Sequence, residues 1–118
     1  MEYMLLIYSD YSKFKAMSES QAGEAMAAYG AYGDALKKSG VVRNSNRLRP
    51  VDAATTVRVQ SGKTEVLNGP YAETREQLGG YYLIDVPDLD TALSWAARCP
   101  GASHGIVEVR PVWAMGSN

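Results

Sequence analysis

The stretch Tyr3-Met4-Leu5-Leu6-Ile7-Tyr8 decides the fold, because it is apolar at every position and lacks the alternation of a half-buried strand. A second apolar strand is predicted over Gly79 to Val86. Strands that are apolar on both faces need a dry layer on each side. The sequence supplies helices for one side only, and a sheet face left in water would be an unusually large apolar patch. We therefore expect two copies of the chain to pair their sheets as a homodimer.

Two helices are predicted on either side of a β-rich middle segment. The first begins at Ser18, which with Gln21 has the spacing of a capping box, and ends at Gly40. The second begins after Asp88, a plausible N-cap, and ends at Pro100-Gly101. The stretch from Asp10 to Met17, before the first helix, is predicted to be a polar connection.

The strands complete an α+β pattern. An extended segment runs from Val41 to Pro50, and a hairpin is predicted from Thr55-to-Val59 and Thr64-to-Leu67. Ala72 to Leu78 is a charged connector, and the last strand spans Gly105 to Trp113. The order of strands and helices predicts one domain over residues 1–118, with a ferredoxin-like split βαβ antiparallel sheet and two helices on one face.

Composition excludes several classes of protein. The chain has 118 residues, with 12 Lys+Arg against 13 Asp+Glu and a formal net charge of −1, so it lacks the basic excess of a nucleic-acid binder. It has one cysteine, Cys99, and one histidine, too few for an intramolecular disulfide or for a zinc site of nitrogen and sulfur ligands within a protomer. We expect no metal and no bound organic cofactor.

Nothing in the sequence predicts a membrane protein. The apolar stretch near the start is far shorter than the ~20 residues of a membrane span, and Met1-Glu2-Tyr3 lacks the basic start of a secretory signal. We therefore expect a cytoplasmic protein.

The segment from Asn68 to Val86 resembles the signature of the YCII-related family, in its DGPF subgroup. The resemblance spans nearly the whole chain, and other matching segments are Ala54 to Arg58, Asp88-Leu89-Asp90, Ala96 to Pro100 and Val107 to Val112. It implies a ferredoxin-like protomer that pairs into a dimeric α+β barrel, in agreement with the two apolar strands. For the wider superfamily, the resemblance also implies enzymatic activity through a His–Asp pair. It further implies that some members are linked with alternative sigma factors.

The chain departs from the family pattern at four positions. Asn68 stands where the family motif has Asp, and Tyr71 stands where it has Phe. The wider family's helix-borne His falls at Tyr29, and its Asp partner falls near Lys38. The His–Asp pair is therefore absent, and any catalysis must use other groups.

The last strand offers one set of candidate site residues. By period two, Glu108 and Arg110 share a face, and they point between the paired sheets if the apolar positions face the helices. Arg58 could join them. These charges either form an ion-pair network at the dimer interface or bind a small polar ligand inside the barrel.

The family motif and its connector offer the other candidates. Asn68 and Tyr71 lie in a segment that is either a plain turn or a ligand-binding turn. Glu73 and Arg75 are either solvated ion pairs or a carboxylate and a guanidinium beside a pocket. His104 is the one side chain with an unperturbed pKa near neutrality, although its context favours a solvated or capping role.

These observations lead to two functional hypotheses. The first is a homodimer that binds a small polar or anionic molecule between its sheets through Arg58, Asn68, Tyr71, Arg75 and Arg110. That protein could also be a metal-independent enzyme, with Glu73, Glu108 and His104 as the catalytic candidates. The second is a non-catalytic accessory protein, such as a partner of a sigma factor. A cavity in which Arg58, Glu108 and Arg110 converge favours the first hypothesis, whereas a filled interior and an exposed apolar groove favour the second.

Overall fold

Four strands form the main sheet, and two more form a separate hairpin. A computed structural model describes residues 1–115; the predicted domain extends to Asn118, and its last three residues lie outside this range. The chain is a mixed α+β structure with antiparallel sheets. In chain order, its elements are β1 (Glu2–Ser9), α1 (Tyr11–Lys15), α2 (Glu19–Ser39), β2 (Val42–Arg47), a 3-10 turn (Val51–Ala53), β3 (Thr55–Gln60), β4 (Lys63–Asn68), β5 (Gln77–Asp85), α3 (Leu89–Arg98), α4 (Gly101–His104) and β6 (Ile106–Pro111).

The main sheet has the order β2-β5-β1-β6, with every neighbouring pair antiparallel. The two strands that are apolar throughout, β1 and β5, lie at its centre, where each has a strand on both sides. Leu5 of β1 pairs with Tyr82 of β5 and with Val109 of β6. The hairpin strands β3 and β4 pair only with each other in the described chain.

The predicted capping residues set both ends of α2 and the start of α3, whereas α3 ends at Arg98, before the predicted Pro100-Gly101. The Ser18 hydroxyl accepts a hydrogen bond from the Gln21 backbone N–H, and the Gln21 side chain accepts one from the Ser18 backbone. Gly40 ends α2 with a φ of 71°, the left-handed conformation that glycine adopts without a Cβ penalty. The Asp88 carboxylate accepts from the Thr91 N–H at the start of α3. These cap predictions are confirmed.

The hydrophobic core lies between α2, α3 and one face of the sheet. Leu5, Leu36 and Ile84 are fully buried there. The Tyr32 hydroxyl donates to the Trp95 carbonyl oxygen at 2.7 Å, which satisfies a buried polar group. Burial of each large apolar side chain stabilises the fold by about 1.5–3 kcal/mol. This packing fixes the helices over the sheet.

The opposite face of the sheet carries apolar side chains that no helix covers; we call it the open sheet face. Its side chains come from alternate positions, including Met4 and Leu6 of β1 and Leu83 of β5, all half-buried in the single chain. Ile106 of β6 lies in the same face and is 51% exposed.

The structure corrects several predicted boundaries. The polar connection contains helix α1, which begins because the Asp10 carboxylate caps it by accepting from the Ser12 N–H. Strand β5 begins at Gln77, because a register shift after Ile7 lets β1 continue to pair. The last strand ends at Pro111, and the short helix α4 follows α3, so His104 lies at a helix end instead of in a loop.

Candidate functional site

A cavity of about 760 Å³ lies between the first half of α2 and one end of the sheet. Ile7, Gly80 and Tyr82 line it from the helix-covered side of the sheet, and Met26 and Tyr29 line it from α2. This volume is in the range of small-molecule sites. The cavity lies within one chain, on the opposite side of the sheet from the open sheet face.

The cavity exists because α2 extends beyond the packed core. The helix has 21 residues, so it is about 31 Å long. Its buried side chains, Tyr32 and Leu36, are both in its second half. The first half stands over the sheet end with a gap beneath it. Phe14 of α1 lines this gap from another side.

Gly80 lines the cavity at a point where the backbones of β2 and β5 lie close together. A Cβ atom on residue 80 would lie 2.8 Å from the Asn46 backbone oxygen, so only glycine lets β2 and β5 approach this closely here. Gly80 thus permits a close approach of the two strand backbones.

Three cations line the cavity: Lys13 of α1, Arg47 at the end of β2, and Arg49 just after it. Within residues 1–115, no carboxylate lies within 4.0 Å of the charged atoms of these side chains. The Arg47 guanidinium lies over the Phe14 ring, 5.4 Å from its centroid. The site thus combines an apolar wall with three cations that are free to pair with an anion.

Tyr29 contributes a neutral hydroxyl. Burial raises the pKa of Tyr29 to about 12, with the neighbouring Cys99 acting in the same direction. Burial also raises the pKa of the Cys99 thiol, although hydrogen bonds from the backbone of Gly101 and Ala102 and from Tyr29 act against it. Near neutral pH, Tyr29 can donate a hydrogen bond but cannot act as a base.

Asp10 is the carboxylate of this cavity. Its Oδ1 accepts hydrogen bonds from the Ser12 hydroxyl at 2.6 Å and from the Ser12 N–H at 3.0 Å. The hydroxyl hydrogen bond, more than any other interaction, holds the pKa of Asp10 below its usual value. Asp10 therefore remains ionised and is a weak base, so the groups of this site suit binding better than proton abstraction.

A smaller cavity of about 400 Å³ adjoins the first and shares Asp10, Lys13 and His104 with it. Arg75, one of the predicted ligand-binding residues, also lines it. The Arg75 Nε lies 3.7 Å from the Asp10 Oδ2. Two predicted residues, His104 and Arg75, are thus brought together beside Asp10.

The other predicted site residues lie away from both cavities. Arg58 and Asn68 are on the hairpin, where Arg58 pairs with Glu65 across the strands. Tyr71 and Glu73 are exposed in the connector before β5, and Tyr71 is 80% exposed.

Glu108 and Arg110 lie on the open sheet face. The Arg110 Nε is 3.8 Å from the Glu108 Oε2, and both side chains are exposed in the single chain. Their placement away from the helices matches the period-two argument. In the described chain, Arg58 is on a different sheet from this pair.

Lys13, Arg47 and Arg49, the cations of the large cavity, were not predicted from the sequence as site residues. Arg43, Arg47 and Arg49 form a basic run within seven residues, which was the available signal. That run alone could not show that Arg47 and Arg49 line a cavity, because the opposite wall comes from α1 and α2.

The described chain shows no metal site and no membrane-spanning helix. Among residues 1–115, no group of three or more His, Cys, Asp or Glu side chains is arranged to hold a metal ion. No helix in this range is both long and apolar enough to span a bilayer.

Comparison with known proteins gives two similarities that cover almost the whole chain. Residues 1–116 match the model of a family described as the YCII-related domain. The chain is also 40% identical over 114 residues to an uncharacterised protein of Rhizobium meliloti (strain 1021), an overlap of 95% of this chain and 92% of that relative.

Proposed function

We start from the fact that this chain belongs to the YCII-related domain family, and we propose that it binds a small organic anion in the cavity beneath α2. The ligand has an apolar body and a carboxylate or a similar anionic group. The aromatic and aliphatic lining accepts the body, and the Lys13–Arg47–Arg49 cluster accepts the charge. In this proposal the ligand binds within one protomer. The ligand site between the paired sheets of a dimer, which the sequence led us to expect, stays a prediction.

The observation that carries this proposal is the excess of unpaired cations at an apolar cavity. Arg47 has a planar guanidinium that can bind a carboxylate through two hydrogen bonds, and this group lies over the Phe14 ring. The neutral Tyr29 hydroxyl adds a polar group to the lining without adding a charge. The accessory-protein hypothesis stays a prediction, because Arg58 lies on a different sheet from Glu108 and Arg110 in the described chain, and a cavity where these three side chains converge was the feature expected to separate the two hypotheses.

An enzyme is the second candidate, supported by His104, which lines both cavities together with Asp10. A catalytic proton transfer would then use His104, because Asp10 and Tyr29 are held in their ionised and neutral forms respectively. Glu73 and Glu108 do not line either cavity.

We further propose a ferredoxin-like protomer of the DGPF subgroup that pairs into a dimeric α+β barrel. The strand order β2-β5-β1-β6, with α2 and α3 packed on one face, supports the protomer fold. The motif from Asn68 to Val86 supports the subgroup, and the apolar open sheet face supports pairing with a second copy.

Isothermal titration with benzoate and benzamide tests the proposed ligand class. The two probes share an aromatic body, but only benzoate carries a charge. We expect benzoate to bind at least tenfold more tightly, and Arg47→Gln to remove this preference. Arg58→Gln is the matched control, because it deletes the same charge on the hairpin. Equal binding of both probes contradicts the proposal, and loss of benzoate binding in Arg58→Gln would support the between-sheet site instead.

A further inference from the structure

We propose that the β3–β4 hairpin is an intersubunit arm whose valine face packs against a second copy of this chain. The valine face consists of Thr55, Val57, Val59, Thr64, Val66 and Asn68. The inference rests on the homodimer proposed above and adds the segment that completes its interface.

The hairpin is amphipathic. Val57 pairs with Val66 on one face, whereas the adjacent pair of Arg58 and Glu65 lies on the other. The valine face contains no charged residue, yet Val57, Val59 and Val66 are 61%, 62% and 60% exposed. A two-stranded hairpin with nothing packed on it is marginally stable in water. Its apolar face therefore needs a partner.

The exposed valines show that the described chain does not cover the valine face itself, and the overall dimensions agree with this. The described chain measures 50 × 47 × 18 Å, and its radius of gyration is 16.4 Å. A compact chain of this length has a radius of gyration of about 13–14 Å. A helix layer and a sheet layer account for the 18 Å thickness, since a third layer would add about 10 Å. The hairpin therefore adds no third layer over the helices or the main sheet.

Two hydrogen bonds close the base of the hairpin. The Gly69 N–H donates to the Ala54 carbonyl oxygen at 2.7 Å, and the Thr56 hydroxyl donates to the Gly69 carbonyl oxygen at 2.8 Å. Gly69 has a φ of 110°, which suits glycine at this sharp change of direction. A hairpin that is already closed loses less conformational entropy when it binds.

A second copy of this chain is the partner that fits both exposed apolar surfaces, the open sheet face and the valine face. Strand spacing and rise give the open sheet face an area of roughly 450 Å². Stable dimers bury about 800 Å² on each partner. Sheet pairing alone therefore falls short, and the valine face is the additional apolar surface in the same chain. Under two-fold symmetry, each copy both supplies an arm and receives one.

Val59→Lys and Gln60→Lys form a matched pair, because these adjacent residues place the same charge on opposite faces of β3. We expect Val59→Lys to raise the dimer dissociation constant at least tenfold in sedimentation equilibrium. Gln60→Lys should change it less than twofold. Circular dichroism checks that both variants retain the wild-type fold.

Hydrogen exchange of the wild-type protein gives a second test that does not depend on a variant folding. We expect the amides of β3 and β4 to become protected as the protein concentration rises through the dimer dissociation constant. A wild-type dimer with concentration-independent exchange in the hairpin, or with a dissociation constant unchanged by Val59→Lys, overturns the arm alone. A wild-type monomer at all concentrations overturns the proposed homodimer together with the arm.

Discussion

Gly101 lies directly against the hydroxyl of Tyr29, and no side chain fits between them. A Cβ atom on residue 101 would come within 2.7 Å of this hydroxyl oxygen and 2.8 Å of the Ile7 Cγ2. The glycine therefore allows α4 to approach both α2 and β1. All three residues line the large cavity, so this contact helps to set its shape.

Gly101→Ala should destabilise the protein by about 1–3 kcal/mol, because the new methyl group must displace Tyr29 and Ile7. Gly30→Ala is the control, since a Cβ atom there meets nothing within 4 Å in the middle of α2. It should stabilise the protein by about 0.5–1 kcal/mol. Urea unfolding measures both changes. A Gly101→Ala variant as stable as the wild type would mean that α4 can shift without cost.

The pKa of Tyr29 predicts a loss of stability at alkaline pH. Because burial raises this pKa to about 12 in the folded state, the folded protein resists deprotonation that the unfolded chain undergoes near pH 10. This contribution to the free energy of unfolding is complete below pH 10 and is lost as the pH rises towards 12.

Urea unfolding at pH 8 to 12 measures this effect, with Tyr29→Phe as the test variant and Tyr71→Phe as the exposed control. Tyr29→Phe should reduce the alkaline fall in stability, whereas Tyr71→Phe should leave it unchanged. The same fall in Tyr29→Phe as in the wild type would assign the effect to another group.

The central strands and the helix caps could be predicted because each depends on neighbouring residues. The run from Tyr3 to Tyr8 and the Ser18–Gln21 capping box are local patterns with a direct physical meaning. Helix α1 was missed because five residues are too few to establish an apolar period, and only the Asp10 cap marks its start.

The candidate site could not be predicted in the same way. Its cations come from α1 and from the end of β2, and they share a cavity because α2 extends past the core. That geometry depends on packing between distant segments. The family motif instead directed attention to Asn68 and Tyr71, which lie outside the cavities.

Asn68→Asp tests whether the departure from the family motif has a functional role. Asn68 is the exposed last residue of β4, paired with Thr55. As a structural residue next to Gly69, it should tolerate aspartate with a change in stability within about 0.5 kcal/mol. Benzoate affinity should change less than twofold, because Asn68 does not line the cavity. Unaltered stability with clearly altered affinity would instead support a ligand contact.

Leu5 and Leu6 point to opposite faces of β1, so substitutions at these two positions test the fold of the protomer and its assembly separately. Leu5 is fully buried under the helices, so Leu5→Lys should unfold the protein or make it insoluble.

Leu6 lies on the open sheet face opposite Glu108 of β6. A lysine at residue 6 can pair with this carboxylate in a single chain, whereas in the proposed dimer it would be buried between two sheets. Leu6→Lys should therefore give a folded monomer, with wild-type circular dichroism and half the wild-type mass in light scattering. A Leu6→Lys variant that remains a dimer as tight as the wild type would contradict pairing through the open sheet face.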